Sequence, residues 1–171
     1  MNEKAHSIFQ TAQMYAKAAR FLNGISNNDP SMLLPSTINA ALSLELYFKS
    51  LYVLERNADF KINGRHSHDF SVLFEELSES TKQSFTEGFN NALAVRDMND
   101  VKIMESRFAI LVPRDLKSNL VEWSTVFTGV RYVYDFVVKS KGTQKTMMFF
   151  PEIEAVAIAI ILQREPTWQQ P

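Results

Sequence analysis

Apolar residues recur along much of this chain at alternating steps of three and four, the spacing of one face of an α-helix. Over residues 3–22 the stripe is Ala5, Ile8, Ala12, Tyr15, Ala19 and Leu22, widened by Phe9 and Ala16. Its small side chains predict close approach to a neighbouring helix, and Asn23-Gly24 predicts its end. Residues 26–35, with two Asn, an Asp-Pro and a second Pro, predict a loop. A second helix is predicted over residues 36–54 and on to about Arg56, with Pro35 and Ser36 as its start signal. Here the pattern changes: Ile38, Ala41, Leu42, Leu46, Tyr47, Leu51, Val53 and Leu54 cover nearly every side. A helix apolar all round belongs at the centre of a fold.

Beyond it, residues 57–68 form a connector with an Asn63-Gly64 turn signal. Ser67 or Asp69 can cap a short helix that presents Phe70, Leu73, Phe74 and Leu77 on one face. Ser80 with Gln83 predicts a capping box for a helix burying Phe85, Phe89, Ala92 and Leu93, weakened by Gly88. Residues 97–113 are expected to be a long connection, held down by the apolar run 108–112 and closed by Pro113. The strongest periodicity covers residues 115–138, where Leu116, Leu120, Trp123, Phe127, Val130, Tyr134 and Val137 again alternate by four and three. Pro151 opens a last helix to about Arg164, and Pro166 stops it. The pattern predicts an all-α, antiparallel helical bundle with four principal helices plus short accessory ones. It forms one domain over residues 1–165, with 166–171 a loose tail.

A chain of 171 residues buries a core without covalent staples, and the absence of Cys excludes a disulfide scaffold, a thiol nucleophile and a zinc–thiolate site. A net charge of −1 supplies no overall basic field for nucleic acid. The polar start is not a signal peptide, and the longest apolar run, 155–162, falls short of the ~20 residues that span a bilayer. No membrane association is expected, and the expected location is cytoplasmic.

Inside the apolar second helix lie Asn39, Ser43, Glu45 and Lys49. Glu45 and Lys49 are one turn apart and can pair. A carboxylate on a helix this apolar needs cations, so we expect Glu45 to bridge Lys49 and Arg131 of the long helix, with His68 close by. Glu45 and Lys49 either position a ligand phosphate, act in acid–base chemistry, or form a structural ion pair satisfied by neighbours such as Arg131. His66, His68 and Asp69 have the form H-x-H-D, but no second cluster completes a metal site. Asp69 is better read as a helix cap, and no metal or cofactor is expected. Arg131, Tyr132, Tyr134 and Asp135 could offer RNA a cation and an aromatic platform, or serve the core. The run 139–145 lacks the glycine spacing of a phosphate-binding loop.

The stretch A-A-L-S-L-E-L-Y-F-K-S-L-Y-V-L-E, followed by H-S-H-D-F-S-V-L-F-E-E-L, resembles the HEPN superfamily (higher eukaryote and prokaryote nucleotide-binding domains). Bacterial members pair "small-x-E-L-x-x-K-x-L" with a downstream "G-H-D-L-x-x-L-F"; here Ser67 takes the Gly place and Phe70 the Leu place. R-Y-V-Y-D, from Arg131 to Asp135, is similar to a later R-Y-x-Y-E of some relatives. The resemblance implies an antiparallel bundle that forms a homodimer and binds RNA, a nucleotide or a protein partner. It also implies a bacterial stress or phage-defence setting, with an antitoxin or nucleotidyltransferase as partner. Many such domains are metal-independent ribonucleases whose signature is an Arg and a His with four to six residues between them. His6, His66 and His68 have no Arg at that spacing, so the usual ribonuclease site is not expected. Two alternatives stand beside this: a divergent metal-independent ribonuclease drawing on His68 and Arg131, or a structural protein whose dimer is its product. The last helix, apolar on several faces (Ile153, Val156, Ile158, Ile160, Ile161, Leu162), adds a physical reason to expect a partner copy.

Overall fold

The computed structural model describes residues 2–26, 28–61, 67–109, 111–131 and 149–169, with side chains as far as Ser124 in the stretch that ends at 131. Among these residues there are seven α-helices and no strand, the all-α bundle that the periodicity predicts. They are α1 (Glu3–Ser26), α2 (Leu33–Arg56), α3 (Phe70–Glu75), α4 (Glu79–Val95), α5 (Asn99–Phe108), α6 (Leu116–Arg131) and α7 (Phe150–Arg164).

Helix α2 is the centre. It packs against α1, α3, α6 and α7, and it buries Ala40, Ala41, Leu44, Tyr47, Phe48, Leu51 and Val53. It begins before the expected Ser36: a single 3-10 turn, Pro30–Met32, leads directly into Leu33, so Pro35 lies in the first turn, where a missing N–H costs nothing. Asn57 ends it in the left-handed conformation (φ 49°), donating its N–H to Val53 O at 2.9 Å.

The α1–α2 pair is set by small residues in matching heptads. Ala5, Ala12 and Ala19 are buried on α1; Ser36, Ser43 and Ser50 are buried on α2. The two helices run antiparallel, so Ser36 Oγ donates to Ala19 O and Ser50 Oγ to Ala5 O, both at 2.8 Å. Backbones can approach this closely only where no large side chain intervenes. The buried face of α1 is therefore Ala5, Phe9, Ala12, Ala16 and Ala19, rotated from the expected stripe, and Tyr15 is left at the surface. The helix also continues through Gly24 to Ser26.

Phe48, Phe74 and Phe85 form a three-ring cluster joining α2, α3 and α4, with centroids 5.4–6.1 Å apart. Gly88 on α4 is explained by α7: a Cβ there would lie 2.9 Å from Val156 Cγ1, so the glycine makes room for that side chain. The apolar faces of α7 are met within the chain. Phe150, Ile153, Ala157, Ile160 and Ile161 are buried, and Val156, Ile158 and Leu162 pack against the core, which removes the physical argument they offered for a partner copy.

Three further expectations change. The cap of α4 is Ser78 and not Ser80: Ser78 Oγ accepts from Thr81 N, while Gln83 pairs with Glu87. Ser78 wins because Glu55 of α2 fixes it, accepting from its N–H and its hydroxyl at 2.8 Å each. Residues 97–113 are not one long connection but contain α5, which buries Val101 and closes at Ala109 in the left-handed conformation. The tail is not loose at Trp168, which ends a 3-10 turn (Pro166–Trp168) and is buried beside Phe9 (ring centroids 5.7 Å) under a stacked His6 (4.7 Å).

Candidate functional site

The candidate site lies where α2 meets the residues leading into α3. Glu45, with only 5% of its side chain exposed, uses one carboxylate oxygen for Lys49 Nζ and the other for His68 Nδ1 at 2.9 Å. Lys49 belongs to the same helix one turn on, and 17% of its side chain is exposed. The His68 side chain is 55% exposed. Two partners with donor N–H groups thus converge on one buried carboxylate, and the imidazole forms the outer edge. Since a carboxylate only accepts, the bond places the imidazole proton on Nδ1.

The backbone after His68 is held by a second carboxylate. Asp69 caps α3, its Oδ1 accepting from Ser71 N at 2.9 Å, Ser71 Oγ at 2.6 Å and Val72 N at 3.3 Å. It also accepts from Ser124 Oγ of α6 at 2.8 Å. Burial opposes ionisation of Asp69, yet the bonds from Ser71 and Ser124 and from the two backbone N–H groups outweigh it and hold the carboxyl below its usual range. Ser124 Oγ in turn receives Phe70 N at 2.8 Å. Helix α6 is therefore tied to the strip of chain that carries His68.

Of the residues singled out in the sequence, Glu45, Lys49 and His68 are brought together and Asp69 stands beside them as a cap. Arg131 ends the described part of α6, seven positions past Ser124; its side chain, Asp135, His66, Tyr132 and Tyr134 lie outside the described residues. The expected Glu45–Arg131 bridge therefore lies outside them as well. Among the described residues no group of three or more His, Asp or Glu is arranged to hold a metal. None of the described helices is long and apolar enough to cross a membrane.

Ser124 went unnoticed in the sequence. Its signal there is a hydroxyl beside the apolar Leu120, Trp123 and Phe127, ambiguous without knowing what faces it. Two other buried carboxylates serve architecture. Glu55 joins α2 to Ser78 and Thr81 of α4 and to Arg164 of α7; burial pushes its pKa up, but the bonds from Thr81, Ser78 and Arg164 bring it below the usual range. Glu154 of α7 binds Arg20 of α1 at 2.5 Å and accepts weakly from the Tyr47 hydroxyl at 3.4 Å, and burial followed by this negative neighbour drives the Tyr47 pKa far up. Unlike these two, the Glu45 cluster ends on a half-exposed aromatic base.

No protein-family model matches the chain, and neither curated proteins nor solved structures yield a match.

Proposed function

We propose that this chain is a HEPN-like helical module that binds single-stranded RNA at the edge formed by His68, Lys49 and Glu45, in a bacterial stress or phage-defence system. The observation that carries the reading is the half-exposed His68 imidazole fixed by a buried carboxylate beside a lysine. An aromatic ring held at the surface offers a base a stacking face, and an adjacent ammonium offers a phosphate a counter-charge. The sequence resemblance around Ala40–Glu55 and His66–Leu77 places the same residues in the motif of that superfamily. The small net charge of −1 fits local recognition better than binding along an extended basic surface.

A specific observation favours a second reading, a divergent metal-independent ribonuclease. The bond from His68 Nδ1 to Glu45 is the relation of a general base to its orienting carboxylate, which fixes tautomer and ring direction. Arg131 would be its charge partner.

One experiment separates the two. Fluorescence anisotropy with a labelled single-stranded RNA, free of metal ions, should show saturable binding that His68→Ala weakens about tenfold, within the range of a lost stacking contact. Intact RNA afterwards supports binding alone; RNA cut by the native protein and left whole by His68→Ala supports the ribonuclease. Binding unaffected by His68→Ala overturns the assignment of the site. A mononucleotide and a protein lysate fraction as competitors show whether RNA is the preferred ligand.

A further inference from the structure

We infer that the outer face of α1 docks an amphipathic helix of a partner protein, one whose polar flank is acidic. None of the residues of the His68 site takes part, so this surface stands whether or not that site binds RNA. Helix α1 carries two heptad faces. Ala5, Ala12 and Ala19 close on α2. On the opposite side Ser7, Thr11, Met14, Ala18, Phe21 and Ile25 recur by alternating steps of four and three, with no charge among them. Met14 and Phe21, one heptad apart, are 70% and 69% exposed. A helix with uncharged stripes on two opposite faces belongs between two layers, yet α1 has its main packing on α2 only. The contrast with α7 is direct, since the apolar faces of that helix are met within the chain.

The stripe spans about 27 Å, the length of nearly three heptads. Ala18 sits between Met14 and Phe21 and leaves the hole that a large side chain of a facing helix fills. The charge of α1 selects the occupant. Its one acid, Glu3, lies in the first turn, while Lys17 borders the stripe and Arg20 stands behind it. Lys17 is exposed and has no ion-pair partner among the described residues. Arg20, held by Glu154 of α7, keeps 56% of its side chain exposed. A facing helix with Asp or Glu beside its apolar seam gives both cations a counter-charge. A second copy of this chain does not: antiparallel α1 helices set Lys17 against Lys17, and parallel ones set it beside Leu22.

The test is fluorescence anisotropy of a labelled three-heptad peptide with Leu at its a and d positions and Glu at e and g, whose like charges keep it from pairing with itself. The full chain should bind it saturably, and a peptide with Lys in place of each Glu about fivefold more weakly. Phe21→Ser should weaken binding of the Glu peptide about thirtyfold, the factor a lost anchor carries, and Met14→Ser should act in the same direction. Both variants should melt with the native protein, because these side chains are largely exposed. Lys17→Glu should remove the preference for the Glu peptide. His68→Ala should bind that peptide unchanged, which keeps this surface distinct from the RNA site. Failure of the Glu peptide to bind, equal binding of both peptides by the native chain, binding indifferent to Phe21→Ser, or a loss in His68→Ala overturns the proposal. Light scattering that shows a dimer dissolved by Phe21→Ser overturns it in favour of a second copy.

Discussion

Replacing Glu45 by Ala removes the one acceptor that Lys49 and His68 share. Breaking a buried pair from one side costs ~3–5 kcal/mol, because a charge is left without compensation. Here the ammonium is 17% exposed and the imidazole 55% exposed. Lys49 can extend its head toward water and His68 can rotate out, so the loss belongs at the low end, about 3 kcal/mol. In a chain of this size that lowers the melting temperature by roughly 6–12 °C. Lys49→Met should cost less, since a methionine fills the space of the stem, and it leaves Glu45 with His68. The double variant should be less destabilised than the sum of the singles, with a coupling of about 1–2 kcal/mol. Urea unfolding of the four proteins, with a common m-value, provides the cycle. A loss below ~1 kcal/mol for Glu45→Ala together with additive effects would refute the claim that this carboxylate is buried and shared.

Three other outcomes follow from the packing and the charges. Gly88→Ala gains ~1 kcal/mol of helix propensity but forces Cβ against the stiff Val156, which costs about 1–3 kcal/mol. Thermal melts should show a net loss for Gly88→Ala that shrinks when Val156→Ala is added. Glu55 and Asp69 both ionise below the usual carboxylate range, so each contributes stability that is present above its unfolded pKa and lost as pH falls through the lower folded value. The urea midpoint should hold from pH 7 to about 5 and fall below about 4, and Glu55→Gln should make that fall shallower. Trp168→Ala should cost ~3–5 kcal/mol in urea unfolding; a loss near zero would show that the C-terminal turn does not close on Phe9.

Periodicity made the helices legible wherever a stripe was long, and it located α2 as the centre because that helix is apolar on every side. It failed where the deciding partner is remote. Ser78 rather than Ser80 caps α4 because Glu55, on another helix, holds it. Helix α5 was hidden because its segment is largely polar and buries only Val101 among its described side chains. Trp168 gave no local sign that His6 and Phe9 would cover it. At the site, the pairing of Glu45 with Lys49 was legible from one turn of spacing. His68 was expected only close by, because the demand of a buried carboxylate calls for a second partner without naming which residue supplies it. Ser124 was not legible, since a serine inside a helix satisfies itself as readily as it reaches a neighbour.

The most direct test of the site follows the signals of the His68 ring and the Lys49 ammonium while a short single-stranded RNA is titrated into isotopically labelled protein. The account predicts that both move together and saturate along one binding curve, and that Glu45→Gln, which removes the charge holding the two groups, weakens that curve. Signals of His68 and Lys49 that stay fixed while RNA saturates another surface, or no binding at all, would contradict it.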